Sequence, residues 1–301
     1  MDAKPVVGVI GTGNMGGAMA LRLRELGHAV WVRDLLPEQE APALAAGAMR
    51  AASAAALAAQ CELAAVAVVD APQTREVLFG AQGVVHAARR PVAVLLCPTI
   101  APDDVEQAAA ELAAHGIGCI DAPMSGGPAR ARDGSMSLMV ACEDAFFGRY
   151  EPLLRGIGAR LFRVGRRPGD GARTKLVNNL LAAVNLAGAA EAIALARRLG
   201  LEATTTLEVI AQSSGQSWIG SDRMARALAG DFAPRAHTTL LAKDSALAIG
   251  MARAAGVEPA LGVQAAALFR AACDAGHAGL DDASLLPFVE ALWRGIDPPR
   301  G

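Results

Sequence analysis

Hydrophobic positions in the first half of the chain fall into short β-branched runs separated by longer stretches of helical spacing. Residues 6–10 form such a run and end at Gly11, and residues 14–26 follow with helical character and stop at Gly27. Further strands are predicted at 29–32, 63–69, 92–97 and 117–121, with a helix at 103–115 closed by Gly116. Two more β runs, 135–141 and 160–164, flank a helix at 143–154 that opens on acidic residues, as a helix N-terminus prefers. Strands alternating with helices imply βαβ units and a mostly parallel sheet.

The pattern changes at the polar turn 166–170, which holds Pro168 and Gly169. From 171 to 199 the spacing stays helical without a break, a length of roughly 40 Å at 1.5 Å per residue. A helix that long is expected to connect two domains. Its Ala-rich, charge-poor surface predicts a homo-oligomer, a dimer or tetramer, because one small domain does not cover every face. Residues 204–212, 221–229, 242–255, 263–275 and 285–292 all predict helices, with no strand among them. The expected organisation is an α/β domain over 1–166 and an all-α domain over 167–301, joined by the long helix.

Composition narrows the partners. The 301 residues carry a net charge of -2, which removes the electrostatic case for nucleic acid or an anionic membrane surface. No run of 18 or more apolar residues occurs, so no membrane span is expected. Cysteines at 61, 97, 119, 142 and 273 are odd in number and widely spaced, the pattern of a reducing, cytoplasmic compartment. The histidines are scattered and form no H-E-x-x-H, so no metal site is expected. Glycines at 8, 11, 13, 16 and 17 make a poor apolar helix and argue against a signal peptide.

Three segments carry candidate chemistry. Gly11-Thr12-Gly13-Asn14-Met15-Gly16 fits G-x-G-x-x-G between a predicted strand and a predicted helix, and Asp34 ends the next strand 21 residues after Gly13. In the Rossmann pattern such a turn cradles a pyrophosphate at a helix N-terminus, and the acid accepts hydrogen bonds from the adenosine ribose. This spacing predicts NAD. Asp121-Ala122-Pro123-Met124-Ser125-Gly126-Gly127 sits at the C-terminal end of a strand, the edge where ligands bind. There the Ser125 hydroxyl and the Gly126 and Gly127 N–H groups suit a carboxylate, with an ordinary loop as the alternative. Lys175 and Asn179 share one face of the long helix, continued by apolar Ala182, Ala183 and Leu186. A lysine on a mostly buried face serves as acid or base, or else snorkels at a domain seam. Trp218 is a candidate for a substrate pocket, with packing as the alternative.

Taken in order, the glycine fingerprint, D-A-P-M-S-G-G, G-x-x-x-K-x-x-N-N and Lys243-Asp244 resemble the β-hydroxyacid dehydrogenase family over nearly the whole chain. Residues 214–218 and 275–282 are most similar to its L-threonate dehydrogenase branch. The resemblance implies an NAD-dependent oxidoreductase acting on a short β-hydroxy acid, with Lys175 as catalytic lysine and Asn179 orienting the substrate. It implies that Ser125, Gly126 and Gly127 hold the substrate carboxylate. It also implies that Thr99 contacts the nicotinamide end of the cofactor, that Val68 and Val69 line its adenosine side, and that Lys243 and Asp244 help close the cofactor cleft. The chain departs from the family pattern at Pro98, Met124 and Ser245, and lacks an acidic residue near Thr239. Pro98 removes a hydroxyl and an N–H from the implied cofactor cleft, and the last two differences bear on substrate identity rather than on the reaction. The competing expectations are an imine reductase, a group that usually lacks the lysine, and an NAD-binding regulatory protein without turnover.

Overall fold

The computed structural model describes residues 4–294. By its internal contacts the chain divides into two compact units, Met1–Lys175 and Leu176–Gly301, so the division falls inside the long helix rather than at the turn before it.

The first unit is built on one sheet. Its strands are β1 (Val7–Ile10), β2 (Val30–Arg33), β3 (Met49–Arg50), β4 (Leu63–Val66), β5 (Ala93–Leu96), β6 (Gly118–Asp121), β7 (Met124–Ser125), β8 (Ser137–Ala141) and β9 (Arg160–Gly165). Their order is β3-β2-β1-β4-β5-β6-β8-β7, with β9 paired to β8. The first six are parallel, β8 runs antiparallel to β6, and β9 runs parallel to β8. Alternate positions on each central strand enter different cores. Val7, Val9, Leu63, Ala65 and Leu95 pack on one face, and Ile10, Ala64, Val66, Val94 and Leu96 on the other. A strand buried on both faces shows no polar alternation, which is why these runs read as continuous apolar blocks.

Helices α1 (Asn14–Glu25), α2 (Pro37–Ala45), α3 (Ala54–Ala58), α4 (Ala71–Phe79), α5 (Pro102–Ala114), α6 (Gly127–Asp133) and α7 (Asp144–Ile157) complete this unit, and α8 (Asp170–Arg198) begins in it. The sequence pattern anticipates α1, α5, α7 and α8 and misses α2, α3, α4 and α6, which span only five to nine residues. Short Ala-rich or Pro-initiated segments show too few turns for a 3.6-residue period to emerge. Local caps mark two of them: Ser53 accepts from the Ala56 N–H, and Asp70 from the Gln73 N–H.

The second unit holds the rest of α8 with α9 (Ala203–Ala211), α10 (Trp218–Leu228), α11 (Thr238–Ala254), α12 (Ala260–Ala272) and α13 (Leu285–Trp293). Ala183, Leu186, Ala190 and Ile193 from α8 form its core with Leu207, Met224, Leu241, Phe269, Leu285 and Phe288. Two buried ion pairs tie α10 to the segment before α13. Arg226 Nη1 lies 2.8 Å from Asp281 Oδ1, and Arg223 Nε lies 2.7 Å from Asp282 Oδ1.

By length and composition α8 is apolar enough to cross a membrane, although no uninterrupted apolar run announces it. Forty-four per cent of its most apolar window is buried within the fold, and that burial includes the core residues just named.

Candidate active site

The sheet order β3-β2-β1-β4-β5-β6 reverses direction between β1 and β4. In open α/β sheets ligands bind at that switch point, beyond the C-terminal strand ends. Gly11 follows β1, Asp34 follows β2, Thr99 lies beyond β5, and Ser125 lies past β6 in β7. Val68 and Val69 also lie on this edge, but β4 ends at Val66, so they belong to the loop before α4 rather than to the strand predicted over 63–69.

The turn into α1 fits a pyrophosphate. A Cβ on Gly16 would sit 1.8 Å from the Gly11 carbonyl oxygen, so the helix packs against its own turn only with glycine there. Gly13, the N-cap residue, faces the opposite situation: nothing lies within 4 Å of a Cβ built on it. The helix start is therefore open to an anion, and no side chain caps it. A depression of about 330 Å³ borders this turn, lined in part by Thr12, Gly13, Asn14, Pro128 and Arg132.

Asp34 is fixed beside that turn. Its Oδ2 accepts from the Thr12 N–H at 2.6 Å and lies 3.3 Å from the Thr12 hydroxyl, and its Oδ1 accepts from the Leu36 N–H at 3.0 Å. Arg33 is the last residue of β2, and its side chain reaches back to its neighbour. Its Nη1 donates to the Asp34 carbonyl oxygen at 2.6 Å. The Asp34 N–H donates to Oε1 of Glu40 at 2.8 Å, and the Glu40 side chain is 1% exposed.

At the other end of the edge, Gly126 and Gly127 adopt φ of +128° and +77°, where a side chain is strained. They open α6 directly after Ser125, which pairs with Ser137 in β8. Asp121, at the end of β6, is buried. Its Oδ2 accepts from the Gly169 N–H at 2.8 Å and the Ala172 N–H at 3.1 Å, in the first turn of α8 and just before it. Two sequence segments 48 residues apart are thereby joined, and the helix that carries Lys175 starts at the sheet edge. Burial raises the Asp121 carboxyl to about 6, against the opposing pull of the Ala172, Gly169 and Gly171 N–H groups.

Lys175 and Asn179 are both buried, one turn apart on α8. Within the second unit, Asn179 Nδ2 donates to Asp244 Oδ2 at 2.6 Å, and Lys243 Nζ donates to Asp244 Oδ1 at 2.7 Å. One buried carboxylate thus orients both side chains. Trp218 sits on a different element, at the start of α10, where it is 45% exposed with the Arg223 guanidinium 5.7 Å from its ring centre. Sequence reasoning named Asp244 but not its hold on Asn179, and it passed over Asp121 and Glu40. Asp121 had a readable signal as the first residue of D-A-P-M-S-G-G, whereas Glu40 had none, since α2 was itself missed.

A parallel sheet in this order, with a glycine turn at its switch point and an acid closing β2, defines a dinucleotide-dependent oxidoreductase. Two family descriptions match the chain: the NAD binding domain of 6-phosphogluconate dehydrogenase over residues 6–165, and the NAD-binding region of NADP-dependent 3-hydroxyisobutyrate dehydrogenase over 169–289. L-threonate dehydrogenase of Cupriavidus necator is 35% identical over 97% of both chains. The crystal structure of 3-hydroxyisobutyrate dehydrogenase from Salmonella typhimurium is 35% identical, with a TM-score of 0.88 over 95% of this chain and all of that one. An imine reductase from Pseudomonas sp. shares the fold at 21% identity, with a TM-score of 0.65 over 95% of this chain and all of that one. The chain belongs to the β-hydroxyacid dehydrogenase family.

The Asp121 fastening yields a pH-dependent prediction. An acid whose pKa is raised on folding keeps its proton in the native state after the unfolded chain has released it. Its contribution to stability therefore falls as pH rises from the ordinary 3.8 through about 6, and stays level above that. Asp121→Asn retains an acceptor and carries no buried charge, so its urea midpoint rises relative to that of the parent between pH 4.5 and 7. Asp121→Ala orphans two backbone N–H groups and loses about 1–3 kcal/mol for each. A midpoint difference between Asp121→Asn and the parent that does not change with pH contradicts this role.

Proposed function

We propose that this dehydrogenase oxidises a short β-hydroxy acid of the 3-hydroxyisobutyrate, threonate or glycerate kind, with Lys175 as the proton-transferring residue and NAD as the preferred cofactor. The observation that carries the reading is the buried Lys175, one turn before an Asn179 whose amide is held by Asp244, on a helix tied at its start to β6. The Ser125 hydroxyl and the Gly126 and Gly127 N–H groups receive the substrate carboxylate. Lys175 accepts the proton of the substrate hydroxyl as its carbon is oxidised, and returns it in the reverse direction. Asn179 holds the hydroxyl end in place. The glycine turn and Asp34 hold the nucleotide, and the nicotinamide, when bound, accepts the hydride. Lys175 also weighs against an imine reductase, and the intact glycine turn and lysine together weigh against a protein without turnover.

NAD is favoured because the Asp34 carboxylate accepts hydrogen bonds from ribose hydroxyls and repels a 2′-phosphate. A second copy of the chain is the proposed partner, since α8 leaves Val177, Leu181 and Leu195 exposed, and Leu199 just beyond its end is exposed too.

Lys175→Ala is expected to lower kcat about 10²–10⁴-fold while leaving the calorimetric Kd for NAD⁺ unchanged. A loss under about tenfold removes Lys175 from that role. The substrate reading is checked by reduced-nicotinamide absorbance with a panel of short hydroxy acids, where turnover of none of them sinks it. With the best acid, kcat/KM favours NAD over NADP by about 10- to 100-fold, or roughly 1.4–2.8 kcal/mol. Equal values overturn the cofactor reading. Light scattering at micromolar concentration returns a mass of two or four chains, and a single-chain mass refutes the oligomer.

A further inference from the structure

Two arginines, Arg33 and Arg50, are engaged by one buried carboxylate that also holds the backbone of the candidate ribose acid. Glu40 reaches in from α2 with its side chain 1% exposed. Its Oε1 accepts from the Asp34 N–H at 2.8 Å and lies 3.9 Å from Arg33 Nη1, while its Oε2 lies 2.5 Å from Arg50 Nε. Arg33 is held a second time, through its bond to the Asp34 carbonyl oxygen at 2.6 Å. The arginine side chains remain 31% and 52% exposed, so they are anchored at the carboxylate but reachable from solvent.

We propose that Glu40 is a specificity-determining positioning residue of the nucleotide site, which restrains Arg33 and Arg50 so that they do not pair with a 2′-phosphate. This inference rests on the reading of Asp34 as the ribose acceptor. Electrostatics carries it further. The cluster holds two guanidinium groups and two carboxylates, Arg33, Arg50, Glu40 and Asp34, and is balanced as it stands. A 2′-phosphate brings negative charge to a balanced cluster and finds its nearest cations already bonded. Bidentate arginine pairing with phosphate uses two donors on one guanidinium edge, and here the Asp34 carbonyl takes Arg33 Nη1 and Glu40 takes Arg50 Nε, which removes one such edge from each. Removing the Glu40 charge leaves the cluster with one net positive charge and frees Arg50 outright. The Asp34 backbone still has its acceptor if glutamine replaces the glutamate. Glu40 thus works through its neighbours and touches no substrate atom.

The test is calorimetric binding of NAD⁺ and NADP⁺ to the full chain, for the parent and Glu40→Gln. The expected result is a shift of the affinity ratio toward NADP⁺ by about fivefold or more, reversed when Arg33→Ala and Arg50→Ala are added to Glu40→Gln. Glu40→Asp, which keeps the charge, stays within twofold of the parent ratio. A merely structural role weakens both nucleotides in proportion, and an unchanged ratio in Glu40→Gln overturns the proposal. If Glu40→Gln does not fold, Arg33→Ala in the parent decides. NADP⁺ affinity within twofold of the parent supports the restraint. A tenfold loss confined to NADP⁺ means that Arg33 already serves the phosphate, which overturns it. The parent ratio by itself tests the cofactor reading, and its displacement on losing the Glu40 charge tests this one, so the two fail separately.

Discussion

The hydrogen bonds from Gly169 and Ala172 to the Asp121 carboxylate hold the candidate chemistry together. A parallel sheet offers its strand ends as a binding edge, but it does not by itself bring a helix from beyond the last strand to that edge. Asp121 does so by accepting the backbone N–H groups that a helix start leaves unpaired. The cost is a carboxylate buried where its ionised form is disfavoured, which shows in its pKa near 6. Burying it is worthwhile only because the backbone groups it satisfies are themselves buried. Lys175 inherits its place from this fastening, three residues past Ala172 and so within one turn along α8.

In the helical unit, carboxylates do related work with different outcomes. Asp244 divides its oxygens between Asn179 and Lys243 and sets the face of α8 that follows Lys175. Asp281 and Asp282 are neighbours whose titration is driven apart. Burial alone would raise Asp281, but hydrogen bonds from Arg226 and from the Ala283, Arg235 and Ala236 N–H groups outweigh it and hold it at about 2. Burial carries Asp282 up to about 6, against the pull of Arg223 and with the neighbouring Asp281 adding to the rise. The Asp-Asp pair that the sequence suggested as a branch signature is here a fastening between α10 and the segment before α13.

Much of the fold was legible because its principal elements are long enough to show a period or apolar enough to show a block. The mostly parallel sheet followed from βαβ alternation, and the edge residues followed from their places after strands. What stayed hidden was short or spatial. Helices α2 and α3 lie in Ala-rich sequence where the apolar and helix-forming residue is the same, so no face stands out, and α4 is a Pro-initiated helix of nine residues, too short to show a period. Asp121 and Glu40 act through partners distant in the chain or on an element that was missed, and spacing does not encode such contacts. The membrane-length apolarity of α8 escaped notice because polar residues such as Asn185 interrupt every run while the average stays high.

The proposed role of Lys175 in proton transfer can be set against what the other titratable groups near the sheet have become. Burial pushes the Cys61 and Cys97 thiols up to about 12 and Cys142 to about 11, and it raises Cys119 as well. At neutral pH these are packing groups that neither accept a proton nor attack a carbonyl. The Asp121 carboxylate spends an oxygen on two backbone N–H groups, and Asp34 is bonded to the turn it borders. A group that shuttles a proton must be free to lose and regain its bond to substrate, and these acids are structural anchors that the fold needs in place. The side chain of Lys175 reaches its position on a flexible four-carbon stem from a rigidly fastened helix. In the proposed mechanism, duties are separated: Asp121 and Asp34 hold backbone groups, and the proton is assigned to Lys175.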